Sequence, residues 1–205
     1  MKLHLVFVRH GESDANIQRV ISNRDSTFGL TALGRQQAKT LATSLRDIPI
    51  TAIYSSPVLR ARETAEILSR SFGLSYQITE ALREYDCGIL EEKADTESWK
   101  LHGEIADDWT LHHNYLRKPE GGECYLDIKE RFIPFVEGFV KNGLQAQSHI
   151  LMVSHGGLLQ LMLPEVLTNI DHTFVRSHGI GHTQCIVAES IHDQLVCKQW
   201  GDLRV

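Results

Sequence analysis

Two stretches of this chain end an apolar run in the same way. Leu5-Val6-Phe7-Val8 stops at Arg9-His10-Gly11-Glu12, and Ile150-Leu151-Met152-Val153 stops at Ser154-His155-Gly156-Gly157. Each run reads as a buried strand, and the carboxyl ends of such strands open into the crevice where open α/β sheets bind ligands. Arg9 is costly to bury there unless a carboxylate or a ligand phosphate lies close by. Arg60 arrives by a similar route, on the first turn of a helix that follows a strand, where the helix N-terminus adds its own attraction for an anion. Arg62 lies about 200° further round the same helix and reads as a surface residue facing Glu66. Glu84, in Leu82-Arg83-Glu84-Tyr85-Asp86, is the candidate acid; its alternative is a loop carboxylate bonded to Arg83 or to a backbone amide.

A single histidine at a strand end is more often a hydrogen-bonded structural residue than a catalyst, but two on matching strand ends favour chemistry. Two arginines, two histidines and a carboxyl group make sense around a phosphoryl group. The arginines neutralise its oxygens, a neutral imidazole attacks phosphorus, and a protonated carboxyl supplies the proton to the leaving alkoxide, with no metal required. Competing chemistries lack their residues. A cysteine phosphatase needs Arg six positions after its Cys, and those positions hold Lys93, Glu130, Ile191 and Leu203. No His-Glu-x-x-His is present, His112 and His113 would point about 100° apart on a helix, and there is no Walker-type glycine loop.

The elements that must position these groups follow from periodicity. Residues 12 to 19 read as a polar turn or short helix. Thr31 is an N-cap for a helix with Ala38, Leu41, Ala42 and Leu45 on one stripe, ended by Pro49. Ala52 to Ser55 is a short strand, after which Ser56 as cap and Pro57 at the first helical position start a helix that buries Val58, Ala61, Ala65 and Leu68. Residues 75 to 79 form another strand. From Ala81 to Gly122 the pattern loosens around Trp99 and Trp109, as expected of a lid or specificity insertion; its Trp99, Trp109, His112, His113, Arg117 and Lys118 face substrate, solvent or core. Tyr125, Ile128, Phe132, Phe135 and Phe139 mark a helix that Pro134 should kink and Asn142-Gly143 should stop. Residues 157 to 167 are apolar nearly all round, as in a buried helix. Strands at about 183 to 188 and 194 to 199 pair as an antiparallel hairpin at a sheet edge. Alternating strands and helices imply an α/β fold with a mostly parallel sheet and right-handed crossovers.

The 205 residues suit one domain, 1–205, and 42% hydrophobic with 23% charged residues is the balance of a soluble globule. A net charge of -5 without a basic block argues against nucleic-acid or membrane partners. No run is long enough for a membrane span, and the first strand begins too early to leave room for a signal peptide. Cys87, Cys124, Cys185 and Cys197 are scattered, which suits free thiols in a reducing cytoplasm. Oligomeric state is open.

In order along the chain, Val8-Arg9-His10-Gly11-Glu12, Asn16, Thr31-Ala32-Leu33-Gly34-Arg35, Ser55-Ser56-Pro57-Val58-Leu59-Arg60-Ala61, Leu82-Arg83-Glu84, Gly121-Gly122-Glu123 and Val153-Ser154-His155-Gly156-Gly157 resemble the histidine phosphatase superfamily, which includes the cofactor-dependent phosphoglycerate mutases. The resemblance implies a three-layer α/β/α sandwich with an antiparallel edge strand, and a phosphohistidine intermediate. By that similarity His10 is the nucleophile, Glu84 the general acid and later base, and His155 a donor to the phosphoryl oxygens. Arg9, Asn16, Arg60 and Gly156 complete the phosphate pocket, and neither metal nor cofactor is implied. The mutases have a longer chain and a lysine-containing segment after the acid, whereas Cys87-Gly88-Ile89-Leu90-Glu91-Glu92-Lys93 stands here, favouring a phosphatase acting on a small phosphomonoester. Mutase transfer, a non-catalytic phosphate-ligand module and a metal hydrolase are the rivals. Cys124 stands where serine is common. His182 can be read as reaching the pocket mouth, though a hydrogen-bonded strand residue is the preferred reading.

Overall fold

The computed structural model describes residues 3–24, 27–141 and 148–205. A seven-stranded sheet in the order β3-β2-β4-β1-β5-β6-β7 forms its centre. The strands are β1 (His4–Arg9), β2 (Ile50–Ser55), β3 (Tyr76–Ile78), β4 (His149–Ser154), β5 (Cys185–Ile191), β6 (Gln194–Trp200) and β7 (Leu203–Arg204). β1 to β4 run parallel to one another, β5 reverses against β1, β6 turns back, and β7 reverses again. Five of the seven strands therefore share one direction. The expected hairpin forms as β5–β6, with β7 added outside it.

Period-two alternation in β1 sends residues to opposite faces, and both faces are covered. Val6 and Val8, with Ile53, Leu151 and Val153, pack under α2 (Ala32–Ser44) and α3 (Leu59–Phe72). Leu5 and Phe7, with Ile150 and Met152, pack under α5 (Tyr125–Lys141) and α6 (Gly156–Val166). The result is three layers, helix on sheet on helix. The helical stripe of α2 is buried as read, and Thr31 Oγ1 accepts from the Gly34 amide at 3.0 Å as its cap.

Some elements depart from the sequence reading. Helix α3 starts later, with Val58 as N-cap and Leu59 as its first residue, while Ser56 Oγ accepts from the Val58 amide at 3.2 Å. Arg62 is exposed as expected, but Glu66 takes Arg70 rather than Arg62 as its partner, at 2.8 Å. In α5 the fully buried position falls on Val136 while Phe135 is only half-buried, and Pro134 lies within the helix. The stop at Asn142-Gly143 lies outside the described residues. The short helix α7 (His172–Ser177) has no counterpart in the reading. Among the described residues, no helix is long and apolar enough to cross a membrane. Residues 81 to 122 carry two 3₁₀ turns and α4 (Thr96–Thr110), whose Ile105 and Trp109 are in the core.

The loop after β1 is pinned by close backbone contact with α2. Thr31 donates its amide to the Glu12 carbonyl at 3.0 Å, and a methyl group at Gly34 would collide with that same carbonyl. Gly34→Ala should therefore lower stability by about 1–3 kcal/mol through overpacking, read as a reduced urea midpoint; an unchanged midpoint would show that the loop yields.

Candidate active site

The carboxyl ends of β1, β2 and β4 are laced together. His10 donates its amide to Ser154 at 2.9 Å and Ser56 donates to Val153 at 3.0 Å, so strand ends far apart in sequence become neighbours. His10 is 3% exposed. Its Nδ1 lies 2.7 Å from the Gly11 carbonyl, and its Nε2 lies 2.9 Å from Arg60 Nε. A carbonyl can only accept and a guanidinium can only donate. The ring is therefore protonated on Nδ1 and carries its lone pair on Nε2. Burial, then the charge of Arg60, hold its pKa well below the usual histidine value, so the ring is neutral.

Arg60 is 4% exposed and also donates Nη1 to the Ser22 carbonyl at 2.7 Å. Desolvation pulls it down to about 10, with Glu84 opposing, which leaves it charged at neutral pH. Arg9 donates Nη1 to the Ile180 carbonyl at 2.7 Å, while its buried Nε has no protein partner. A buried donor of that kind beside a second cation is suited to an anion. Gly156 lies directly against the Arg9 side chain.

His155 is fully buried, its ring 5.1 Å from that of His10, and Nε2 sits 2.7 Å from Ser56 Oγ. Burial, then Arg60, holds it well below the usual histidine pKa. Ser56, read from sequence only as a helix cap, thus belongs to the site; its place at a third strand end was the available signal. Glu84 is 7% exposed. Its Oε2 accepts from the Gly157 amide at 2.9 Å, and Oε1 from Leu158 at 2.6 Å and from Tyr85 at 3.2 Å. Burial pushes its pKa up, while Arg60 and these three amides pull it back. The sequence alternative of a backbone-bonded carboxylate is thus part of the geometry, and Arg83 instead pairs with Glu80. A side chain at Gly157 would meet the Glu84 oxygens at 2.9 Å, so the carboxyl lies across the start of α6 only because that residue is glycine.

Asn16 also belongs to the site, with His182 packed against it. Asn16 Oδ1 accepts from the Ser13 amide at 3.0 Å and lies 3.1 Å from His182 Nε2, which is also 3.1 Å from Arg9 Nη2. That one nitrogen can accept from Arg9 or donate to Asn16, not both. Desolvation, then Arg9, draws His182 down to about 4. Its preferred reading as a strand residue is corrected here: β5 starts only at Cys185, and His182 stands in the preceding loop, 6.0 Å ring to ring from His10.

A pocket of about 180 Å³ joins Arg9, His10, Asn16, Arg60, Glu84 and Gly156 to Val20, Ile21, Tyr85, Trp99 and His102. Of Trp99, Trp109, His112, His113, Arg117 and Lys118, only Trp99 lines it. Trp109 is core, Arg117 pairs with Asp108, and His112 and His113 are exposed. Tyr85 and His102 carried no sequence signal, since nothing local marks a ring that a later fold brings to a pocket. Cys124 is buried, its amide donating to Asp127 at 2.8 Å.

Residues 5–203 match the family model described as histidine phosphatase superfamily (branch 1). A protein of Escherichia fergusonii named "Probable phosphoglycerate mutase GpmB" is 33% identical over 173 residues, covering 80% of this chain and 75% of that protein. Among solved structures, Bacillus stearothermophilus YhfR is 28% identical with a TM-score of 0.82, covering 98% of each chain. A mycobacterial glucosyl-3-phosphoglycerate phosphatase solved with VO3 is 24% identical with a TM-score of 0.82, covering 97% and 98%, which shows the shared fold.

The depressed histidines make stability depend on pH with a definite sign. Their folded-state pKa values lie below the unfolded value of about 6.5, so the unfolded chain binds more protons once pH falls below that value, and stability is lost toward acid. Glu84 has the opposite sign, its contribution being lost as pH rises above about 4.5 through its raised value. Each buried histidine steepens the acid loss toward a limit of about 1.4 kcal/mol per pH unit. His155→Gln should show a shallower fall in unfolding free energy between pH 6.5 and 5 than the native chain; equal slopes would contradict the neutral buried ring.

Proposed function

This chain belongs to the histidine phosphatase superfamily (branch 1), and from that premise we propose that it is a metal-independent phosphatase of a small phosphomonoester, working through a phosphohistidine. The observation that carries the reading is the fixed tautomer of His10. Its Nδ1–H is tied to Gly11 and its Nε2 lone pair is aimed at Arg60. A neutral imidazole with its lone pair held among cations is a nucleophile prepared for an anionic phosphoryl group.

The proposed reaction has two steps. His10 Nε2 displaces Arg60 Nε as its neighbour and forms a bond to phosphorus as the P–O ester bond breaks, and the proton of the Glu84 carboxyl passes to the leaving alkoxide. Arg9 and Arg60 hold the phosphoryl oxygens, with His155 donating to one of them. Glu84, now a carboxylate, takes a proton from water whose oxygen attacks phosphorus; the P–N bond breaks and inorganic phosphate leaves. The burial that raises Glu84 supports its protonated start, and the burial that lowers His10 supports its neutral one. Asn16 and His182 are proposed to set the position of Arg9, and residues 81 to 122 to form the wall around the leaving group.

Mutase transfer is the second reading, because curated relatives are named for it. The same assay separates the two. Phosphate release from a phosphomonoester panel in chelator, with a bell-shaped pH profile, is expected of the phosphatase. Isomerised phosphoglycerate without free phosphate would replace it by the mutase. His10→Ala should lower turnover at least about 10³-fold and abolish acid-labile labelling of the protein, while Glu84→Gln should cost about 10²–10⁴-fold. Labelled phosphoenzyme surviving in His10→Ala would remove His10 as nucleophile.

A further inference from the structure

One part of the pocket lining is built of rings and hydrocarbon, beside the polar Ser22 and Asn23. Val20, Ile21, Tyr85, Trp99 and His102 form it. These rings are fixed against one another. Tyr85 and His102 stack at 5.5 Å and 22°, joined by a 2.6 Å bond from the phenol oxygen to His102 Nε2. Trp99 meets the edge of His102 at 5.1 Å and 63°, and its Nε1 donates to the Arg19 carbonyl at 2.7 Å. Rings held this way present a rigid surface that loses little freedom when a second ring packs on it.

This wall offers nothing to a second anion. Burial lowers the His102 pKa, so the ring is neutral. Beyond Arg9 and Arg60, which face the phosphoryl end, no cation among the described residues lines the pocket. Arg24, which adjoins the lining residue Asn23, is bound to both oxygens of Asp86 at 3.0 and 2.8 Å and to the Gly121 carbonyl at 2.9 Å. A leaving group bearing a carboxylate would be stripped of water here beside Glu84 with no charge to receive it. An uncharged ring meets no such cost. About 180 Å³ is below the roughly 300–1,000 Å³ of drug-sized sites, so one ring beside the phosphoryl group suits the space better than an extended molecule.

We propose that the preferred substrates are phosphomonoesters of small uncharged aromatic alcohols, and that Trp99, Tyr85 and His102 select them over phosphoglycerate. This rests on the phosphatase reading above. The test compares benzyl phosphate, ethyl phosphate and 3-phosphoglycerate, whose leaving alkoxides are of similar basicity, so that differences report on the wall rather than on bond strength. In the native protein, kcat/KM for benzyl phosphate should exceed that for either competitor at least about tenfold. In Trp99→Ala the benzyl-to-ethyl ratio should fall toward one, and in Trp99→Phe, which keeps a ring, it should be largely restored. Equal rates for the three esters, a preference for 3-phosphoglycerate, or a ratio that Trp99→Ala leaves intact would overturn the proposal while the phosphatase reading stood. No phosphate from any ester would instead bring down the phosphatase reading, and this proposal with it.

Discussion

The 2.9 Å bond from Arg60 Nε to His10 Nε2 is the interaction around which the rest of the molecule is arranged. It places a buried cation against a ring that must not become one. Both groups are out of water, and two positive charges at that distance in a poorly polarisable interior repel strongly, so the imidazole stays neutral. The Gly11 carbonyl then decides which nitrogen keeps the proton. Neither partner could hold this arrangement alone. Gly11 itself is clamped, its amide donating to Thr64 Oγ1 at 3.1 Å, while Thr64 Oγ1 donates to the Arg60 carbonyl at 2.8 Å. One threonine on α3 thus ties the loop that carries the histidine to the helix that carries the arginine.

The sheet supplies the precision. Parallel pairing of β1 with β4 puts Arg9 opposite Ser154 in register, so the residues that follow, His10 and His155, leave the sheet side by side. Ser154 Oγ then reaches the Leu82 carbonyl at 2.9 Å, which brings the segment bearing Glu84 down to the same edge. Glu84 settles over the first amides of α6, where the helix end favours its anion while burial favours its neutral form. Burial prevails, and the carboxyl is held above the usual carboxylate range.

Much of this was legible in the sequence, because strand ends announce themselves. An apolar run that breaks into Arg-His-Gly or Ser-His-Gly is a local signal, and β1, β4 and the histidine pair followed from it, while the buried face of α3 followed from its own apolar stripe. Where the reading failed, the deciding contact was distant. Ser56 looked like a helix cap because caps are local; its bond to His155 spans 99 positions, and the helix itself begins only at Leu59. His182 looked like a strand residue because β-rich sequence follows it, and only the turn ahead of β5 aims it at Arg9. Tyr85, Trp99 and His102 come from a segment without clear periodicity, so no pattern could foretell that their rings would meet. The short helix α7 is capped by Asp171 but is only one and a half turns long, too little for periodicity to register.

The anchoring of Arg9 carries a consequence for how the protein comes into being. Its guanidinium is held by the carbonyl of Ile180, 171 positions away, in the loop that precedes β5. Arg60 and His10 are 50 positions apart, and Glu84 meets the α6 amides across more than 70. A chain emerging in order from a ribosome therefore possesses His10 almost at once and the Ile180 carbonyl that anchors Arg9 only near the end of synthesis. Contacts of such sequence separation make for slow assembly, and no contiguous half of the molecule holds all of these groups. Completion of the site and completion of the fold thus become one event.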